Sequence, residues 1–430
     1  MTTLRIADGQ VLFPDMHVEP ADILIDQDAG EILAVGDVDA ADATLDADGG
    51  LVIPGLVNGH THAAMTLLRG YADDKPLDAW LREDIWPVEA HLTAEDVRIG
   101  TELALVEMIE TGTVAFADMY FFMPSVVEAV EAAGVRARLG HGVITVGKDE
   151  AQAREDFEAG IEFARAYDGA ADGRVSTMVT PHSLTTVGRD YYEAFVPEIR
   201  ETGFPIHFHA NETTDEVEPI VDDYGVRPLA YAAELGLTRA GDFIAHGVHL
   251  DREEIEILAE AGTGVVHCPA SNMKLASGMA PVQALLDAGV PVGLGTDGAA
   301  SNNDLDLFDE MRDAAMIGKL AADDASAVDA AAAVRLATAG GADVLGLNAG
   351  RIRAGANADL AVVDLEATHL TPHHDLVSHL AYAARGSDVR HTICDGRVLM
   401  RDREVQTLDA AAIRERAEAQ AHDLVSRSDA

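Results

Sequence analysis

The stretch Leu51-Val52-Ile53-Pro54-Gly55-Leu56-Val57-Asn58-Gly59-His60-Thr61-His62 decides the fold. An apolar run enters it, Pro54-Gly55 interrupts it, and two histidines leave it with one residue between them. Side chains at i and i+2 on a strand share a face, so His60 and His62 reach toward one point. Two imidazoles converging at a strand end suit a nitrogen-preferring divalent ion such as zinc. A lone His-X-His is more often a polar loop edge, so partners must come from elsewhere in the chain.

Such partners recur. Short apolar segments ending in a metal-binding or proton-moving residue are separated by Ala/Glu/Leu-rich stretches of helical period. They end at Asp118 (114–118), His141 (137–141), His182 (177–182), His209 (205–209), His246 (243–246), His267-Cys268 (264–268) and Asp297 (292–297). With the first stretch they make eight strand–helix units over about 300 residues, which predicts a TIM-type (β/α)8 barrel over 56–349. A doubly wound open sheet would not bring the first, fifth, sixth and eighth strand ends together. No Gly-X-Gly-X-X-Gly fingerprint or P-loop follows any strand.

The two ends of the chain read differently. Residues 4–6, 11–13, 21–25 and 31–35 form short strand patterns separated by Gly, Asp and Pro turns. Residues 358–363, 389–394 and 397–400 look alike, with Asp395-Gly396 as a hairpin turn. Together they predict a small β-sandwich domain built from both termini, 1–55 and 350–408, with a C-terminal helix over 409–430.

A mononuclear catalytic site needs three or four protein ligands and an open position for water. His60 and His62 supply two, and His209 and Asp297 are the expected others. His207 shares a face with His209 but lies farther from the strand end, so it is expected to fill the barrel interior one layer below. Glu212, three residues after His209, is placed to act as general acid/base. His246, one strand on, is placed to polarise water or steady an intermediate. His182 rather than lysine ends the fourth strand, which leaves no residue for a carbamylated-lysine bridge. One metal ion is therefore expected.

Composition excludes several classes. The formal charge is −45 across 430 residues, spread along the chain, which argues against nucleic acid as partner. No run of about 18 apolar residues could span a membrane. The start, Met1 to Ile6, lacks a secretion-signal pattern. The two cysteines, Cys268 and Cys394, cannot build a disulfide framework. A cytoplasmic protein is expected, with Cys268 as a core residue. Only four lysines are present (Lys75, Lys148, Lys274, Lys319), while Asp, Glu and Arg dominate the charged residues. That balance suits concentrated salt and a halophile's cytoplasm.

The run from His60 to Asp74 resembles the amidohydrolase superfamily, and within it the 5′-methylthioadenosine/S-adenosylhomocysteine deaminases. Further matching stretches are 76–81, 85–89, 118–120, 209–212, 267–275 and 295–303, so the likeness covers nearly the whole chain. The resemblance implies one zinc (or iron) ion held by His60, His62, His209 and Asp297. It implies attack of water on carbon 6 of adenine, with Glu212 protonating ring nitrogen 1. Asp297, with His246, would carry the water's proton to the leaving ammonia. Trp80 would lie against the nucleoside, Glu89 on the ribose hydroxyls, and His182 and Ser301 near the ring or sugar. A homo-oligomer is also implied.

Two departures bear on the substrate. Relatives acting on S-adenosylhomocysteine carry arginines after the third strand, whereas this strand ends in His141 and the next candidate for a carboxylate is Arg154. Ala64 replaces a proline common in the family. The expected substrate is 5′-methylthioadenosine, S-adenosylhomocysteine or 5′-deoxyadenosine, with these departures favouring a 5′-thioether or 5′-deoxy nucleoside that carries no carboxylate. The alternatives are a guanine, cytosine or triazine-type hydrolase and, from another class, a non-enzymatic metal-binding scaffold.

Overall fold

A computed structural model describes residues 1–38 and 40–428. The N-terminal strands are β1 (Thr3–Leu12), β2 (Val18–Asp26), β3 (Glu31–Gly36), β4 (Ala43–Asp46) and β5 (Leu51–Pro54). Next come β6 (Leu56–Thr61), β7 (Thr113–Tyr120), β8 (Arg136–Val143), β9 (Val175–Thr177) and β10 (Thr180–Pro181). Then follow β11 (His207–Ala210), β12 (Phe243–His246), β13 (Gly264–His267) and β14 (Val292–Leu294). The chain returns with β15 (Leu360–Val363), β16 (Val389–Cys394), β17 (Arg397–Arg401) and β18 (Glu404–Val405).

Strands β6 to β14 form the barrel. β6, β7 and β8 pair in parallel, with β9 and β10 both on β8, and β11 to β14 form a second parallel run. Bridges Val179–Ile206 and Ser183–His209 join the runs on one side. On the other, the Asp297 backbone N–H donates to the His60 carbonyl at 3.1 Å, and the Thr296 N–H donates to Asn58 Oδ1 at 3.1 Å. Gly295 permits this closure: a Cβ there would lie 2.9 Å from the His60 backbone N and O. The fourth strand differs from the single segment expected over 177–182. It splits because Val179 leaves β8 to pair with Ile206 while its neighbours stay on β8.

Both chain ends supply one nine-stranded mixed sheet, ordered β18-β17-β16-β15-β5-β1-β2-β3 with β4 beside β1. Val52 on β5 faces that sheet's own core of Leu4, Ile6, Ile23 and Val362, whereas Leu51 and Ile53 face the barrel core. Strand alternation thus lets one apolar run serve two cores. Residues 4–6 and 11–13, expected as separate strands, belong largely to the continuous β1. Asp8 takes a left-handed φ of 56° and the pairing with β2 shifts between Ile6 and Gly9, so the Asp-Gly signal marks a bulge rather than a turn.

Arg136, at the start of β8, fastens the sheet to the barrel. Its guanidinium donates to Asp359 Oδ2 and Asp395 Oδ1, both at 2.7 Å. The closing helix spans Ala410–Ser428, and residues 429 and 430 of the expected segment lie outside the described residues. It buries Ile413, Ala417 and Leu424 beside the barrel helix Ala94–Glu110. No described helix is long and apolar enough to cross a membrane.

Candidate active site

Three imidazoles present free Nε2 atoms to one point, and their other nitrogens explain why. His62 Nδ1 lies 2.7 Å from the Met119 carbonyl and His209 Nδ1 lies 2.7 Å from the His182 carbonyl. A carbonyl only accepts, so each Nδ1 carries the proton and each Nε2 keeps its lone pair. His60 reaches the same state through a second ring. His207 Nδ1 donates to the Phe243 carbonyl at 3.0 Å, which leaves His207 Nε2 to accept from His60 Nδ1 at 2.9 Å. His207, fully buried, does lie beneath the rim.

Asp297 closes the group. Its Oδ1 is 3.4 Å from His60 Nε2 and 3.3 Å from His62 Nε2, while His62 and His209 Nε2 are 3.3 Å apart. Ser271 and Ser301 hydroxyls each donate to its Oδ2 at 2.7 Å and fix its rotamer. Burial opposes its ionisation, but His60 and the neighbouring imidazoles hold its carboxyl well below the usual range. Burial drives His60 down to about 4 and His209 well below its ordinary value. The centre therefore presents imidazole Nε2 lone pairs beside one carboxylate. The backbone at Asp297, His246 and Asn211 takes left-handed φ values of 60°, 72° and 55°. Such strain concentrates at functional sites.

Glu212 sits beside this centre. Its Oε2 is 3.6 Å from His246 Nε2, and Ser277 Oγ donates to its Oε1 at 3.4 Å. Burial, reinforced by the Asp297 charge, pushes its carboxyl up to about 8. His246 Nδ1 in turn donates to Asn272 Oδ1 at 3.0 Å.

A cavity of about 700 Å³ opens above. His62, His209, Asp297, Glu212, His246, His182, Trp80 and Glu89 all line it, so the structure brings these expected residues together. Two others lie elsewhere. Ser301 is buried behind Asp297 rather than facing the cavity, because its hydroxyl is spent on that carboxylate. Arg154 lies on the helix Glu150–Tyr167, half exposed and paired with Glu150 at 3.3 Å, and does not line the cavity. His141 also turns away, to Asp156 at 2.9 Å. The reading missed Arg82, Tyr120, Glu216 and His249, which also line the cavity. Only the Asp118-Met119-Tyr120 match hinted at one of them.

Residues 51–399 match the amidohydrolase family. The chain belongs to that family. It is 68% identical, over the full length of both chains, to the 5-methylthioadenosine/S-adenosylhomocysteine deaminase of Natronomonas pharaonis. It is 45% identical to the 5′-deoxyadenosine deaminase of Methanosarcina mazei, over 96% of this chain and 99% of that one. Among solved structures, an adenosine deaminase from Xanthomonas campestris with bound zinc superposes with a TM-score of 0.94, at 38% identity and 99% coverage of both chains.

The amidohydrolase centre of this chain fits a divalent ion on its own chemistry. His60 Nε2 is buried and has no hydrogen-bond partner. Ligand atoms of His60, His62 and Asp297, and of His60, His209 and His246, lie within 4.8 Å of one another. Neutral nitrogens and one carboxylate, aimed at a shared point beside a cavity, are the donor set of a catalytic rather than a closed structural site.

Proposed function

We propose that the protein is a hydrolytic deaminase of adenosine-type nucleosides bearing a 5′-thioether or 5′-deoxy group, with one divalent ion, zinc first, held by His60, His62, His209 and Asp297. The observation that carries the chemistry is geometric: the buried Glu212 carboxyl lines the same cavity as His62, His209 and Asp297 and lies 3.6 Å from His246 Nε2. A divalent ion there would supply Lewis acidity and make water a nucleophile at neutral pH.

The chain's own residues do the rest. Glu212 donates its proton to ring nitrogen 1, so the adenine ring accepts the electron pair when water adds at carbon 6. Asp297, fixed by Ser271 and Ser301, accepts one proton from that water and returns it to the departing ammonia, while the water's second proton passes from the carbon 6 hydroxyl back to Glu212 as the carbonyl forms. His246, beside Glu212, steadies the charge that appears on that carboxyl. Trp80 provides an apolar wall and Glu89 an acceptor for ribose hydroxyls. With neither Arg154 nor His141 at the cavity, no cation from the third strand or the helix after it faces a substrate carboxylate. Arg82, on the helical segment over the site, is the arginine that lines the cavity, so turnover of S-adenosylhomocysteine tests whether a substrate carboxylate is met there. The buried free cysteines and the charge balance support a cytoplasmic home, and a homo-oligomer is part of the same reading.

The test is ammonia release from 5′-methylthioadenosine, 5′-deoxyadenosine, adenosine, S-adenosylhomocysteine, guanine and cytosine in high salt. The first two should be turned over fastest. Glu212→Gln should lower kcat by about 10²–10⁴ with metal content retained. Fast turnover of a free base and none of a nucleoside would replace this reading with another amidohydrolase activity. Metal binding with no turnover of any substrate would leave a scaffold.

A further inference from the structure

The roof of the cavity is a helical segment, and one hydrogen bond joins its acid to the rim. Pro76, Leu77, Trp80, Arg82, Trp86 and Glu89 line the cavity from above, on the helical pieces Leu77–Trp80, Leu81–Ile85 and Trp86–Glu89. Trp80, Ile85 and Val88 anchor the segment in the core, while several of its polar side-chain contacts stay inside it: Lys75 with Glu83 and Asp84, Arg82 with Asp78, and Trp80 Nε1 with the Ala72 carbonyl. Its flanks are tied down by Asp73 with Lys274 and by the His91 carbonyl with Arg427. Between those flanks the Tyr120 hydroxyl donates to Glu89 Oε1 at 2.6 Å.

Tyr120 ends β7, is 4% exposed and lines the same cavity. Among the described residues, this is the hydrogen bond each of the two side chains makes. Glu89 Oε1 is thus engaged and Oε2 is left to the cavity. Burial and the Glu89 charge push the Tyr120 phenol well above its ordinary value, so it remains a donor. Burial raises Glu89, and the Tyr120 hydrogen bond works against that by favouring the anion.

We infer that Tyr120 is a positioning residue for ribose recognition: its hydroxyl holds Glu89 so that the free carboxylate oxygen meets the 2′- and 3′-hydroxyls of the nucleoside. This rests on the deaminase reading above. A carboxylate pinned by one oxygen has already lost the rotamer freedom that binding a diol would otherwise remove. A glutamate without that hydrogen bond would not discriminate as sharply between a ribose and a deoxyribose.

The experiment compares wild type, Tyr120→Phe, Glu89→Ala and the double variant on adenosine and 2′-deoxyadenosine in high salt. Phe keeps the buried ring and removes only the donor. In Tyr120→Phe, KM for adenosine should rise roughly tenfold with kcat little changed, and the preference for ribose over deoxyribose should shrink by a similar factor. In the Glu89→Ala background the same substitution should change neither parameter, because Tyr120 acts through Glu89. Equal losses on both sugars, or a full effect in the Glu89→Ala background, would overturn the inference while wild-type turnover keeps the deaminase reading intact. A wild type that releases ammonia neither from these nucleosides nor from 5′-methylthioadenosine overturns both.

Discussion

The lone pair of His60 depends on a residue that touches no substrate. If His207 could not accept a proton, His60 would have no reason to keep Nδ1 protonated, and its buried Nε2 could take the hydrogen instead. His207→Leu should therefore weaken metal binding by about 10–100-fold, the usual effect of removing a ligand's supporting partner. His207→Gln, whose amide oxygen can still accept, should recover part of the loss. Competition with a chelator followed by metal analysis measures this, and unchanged affinity in His207→Leu would refute the relay. Residue by residue, the sequence showed what strand alternation and strand ends reveal: the His60/His62 pair, His209, Asp297, and Glu212 and His246 beside them. It could not show which hydroxyls would hold Asp297. Ser271 and Ser301 lie 26 and 4 residues from it and meet it only through folding. Arg154 is the first arginine after His141, but it pairs with Glu150 on its own helix and does not line the cavity.

At the scale of elements, apolar periodicity located the barrel strands and the closing helix, while short exposed pieces escaped it. β4 and β18 are four and two residues long and mostly exposed, so they carry almost no apolar signal. What holds the closing helix was equally hidden. Asp96, the N-cap partner of Thr93, has a fully buried carboxylate that accepts from Arg427 at 2.6 Å and Gln420 at 2.6 Å. Burial alone would raise it, yet the bonds to Arg427, Thr93 and Gln420 hold it below its ordinary value. A carboxyl depressed by folding stabilises the protein above its unfolded pKa, near 4, and that contribution vanishes as pH falls through the folded value. Arg427→Ala should cost about 1–3 kcal/mol near neutral pH and raise the pH at which acid unfolding begins. Denaturant melts between pH 3 and 7 test both parts. An unchanged acid limb would mean that Arg427 does not set the Asp96 ionisation.

Over the whole molecule, thirty basic side chains face seventy-five carboxylates, so fewer than half of the acids can have a cation of their own. The four lysines do not serve as loose surface charge. Lys75 binds Glu83 and Asp84, Lys148 binds Asp156, Lys274 binds Asp73, and Lys319 donates to the Ala327 and Val328 carbonyls and to the Tyr382 hydroxyl. Each remaining lysine has a fixed partner, which leaves the excess negative charge to be offset by solvent ions. The screening length is about 10 Å at 0.1 M salt and about 3 Å at 1 M, so most long-range repulsion between surface acids disappears over that interval. The thermal midpoint should therefore climb steeply with KCl up to about 1 M and then flatten. Salt acting only by exclusion from the protein surface would instead keep adding stability above that concentration. Magnesium chloride should reach the same plateau at a lower concentration, since a divalent cation screens more strongly. Thermal melts across a KCl and MgCl₂ series distinguish the cases, and no gain between 0.1 and 1 M KCl would show that the charge excess does not govern stability.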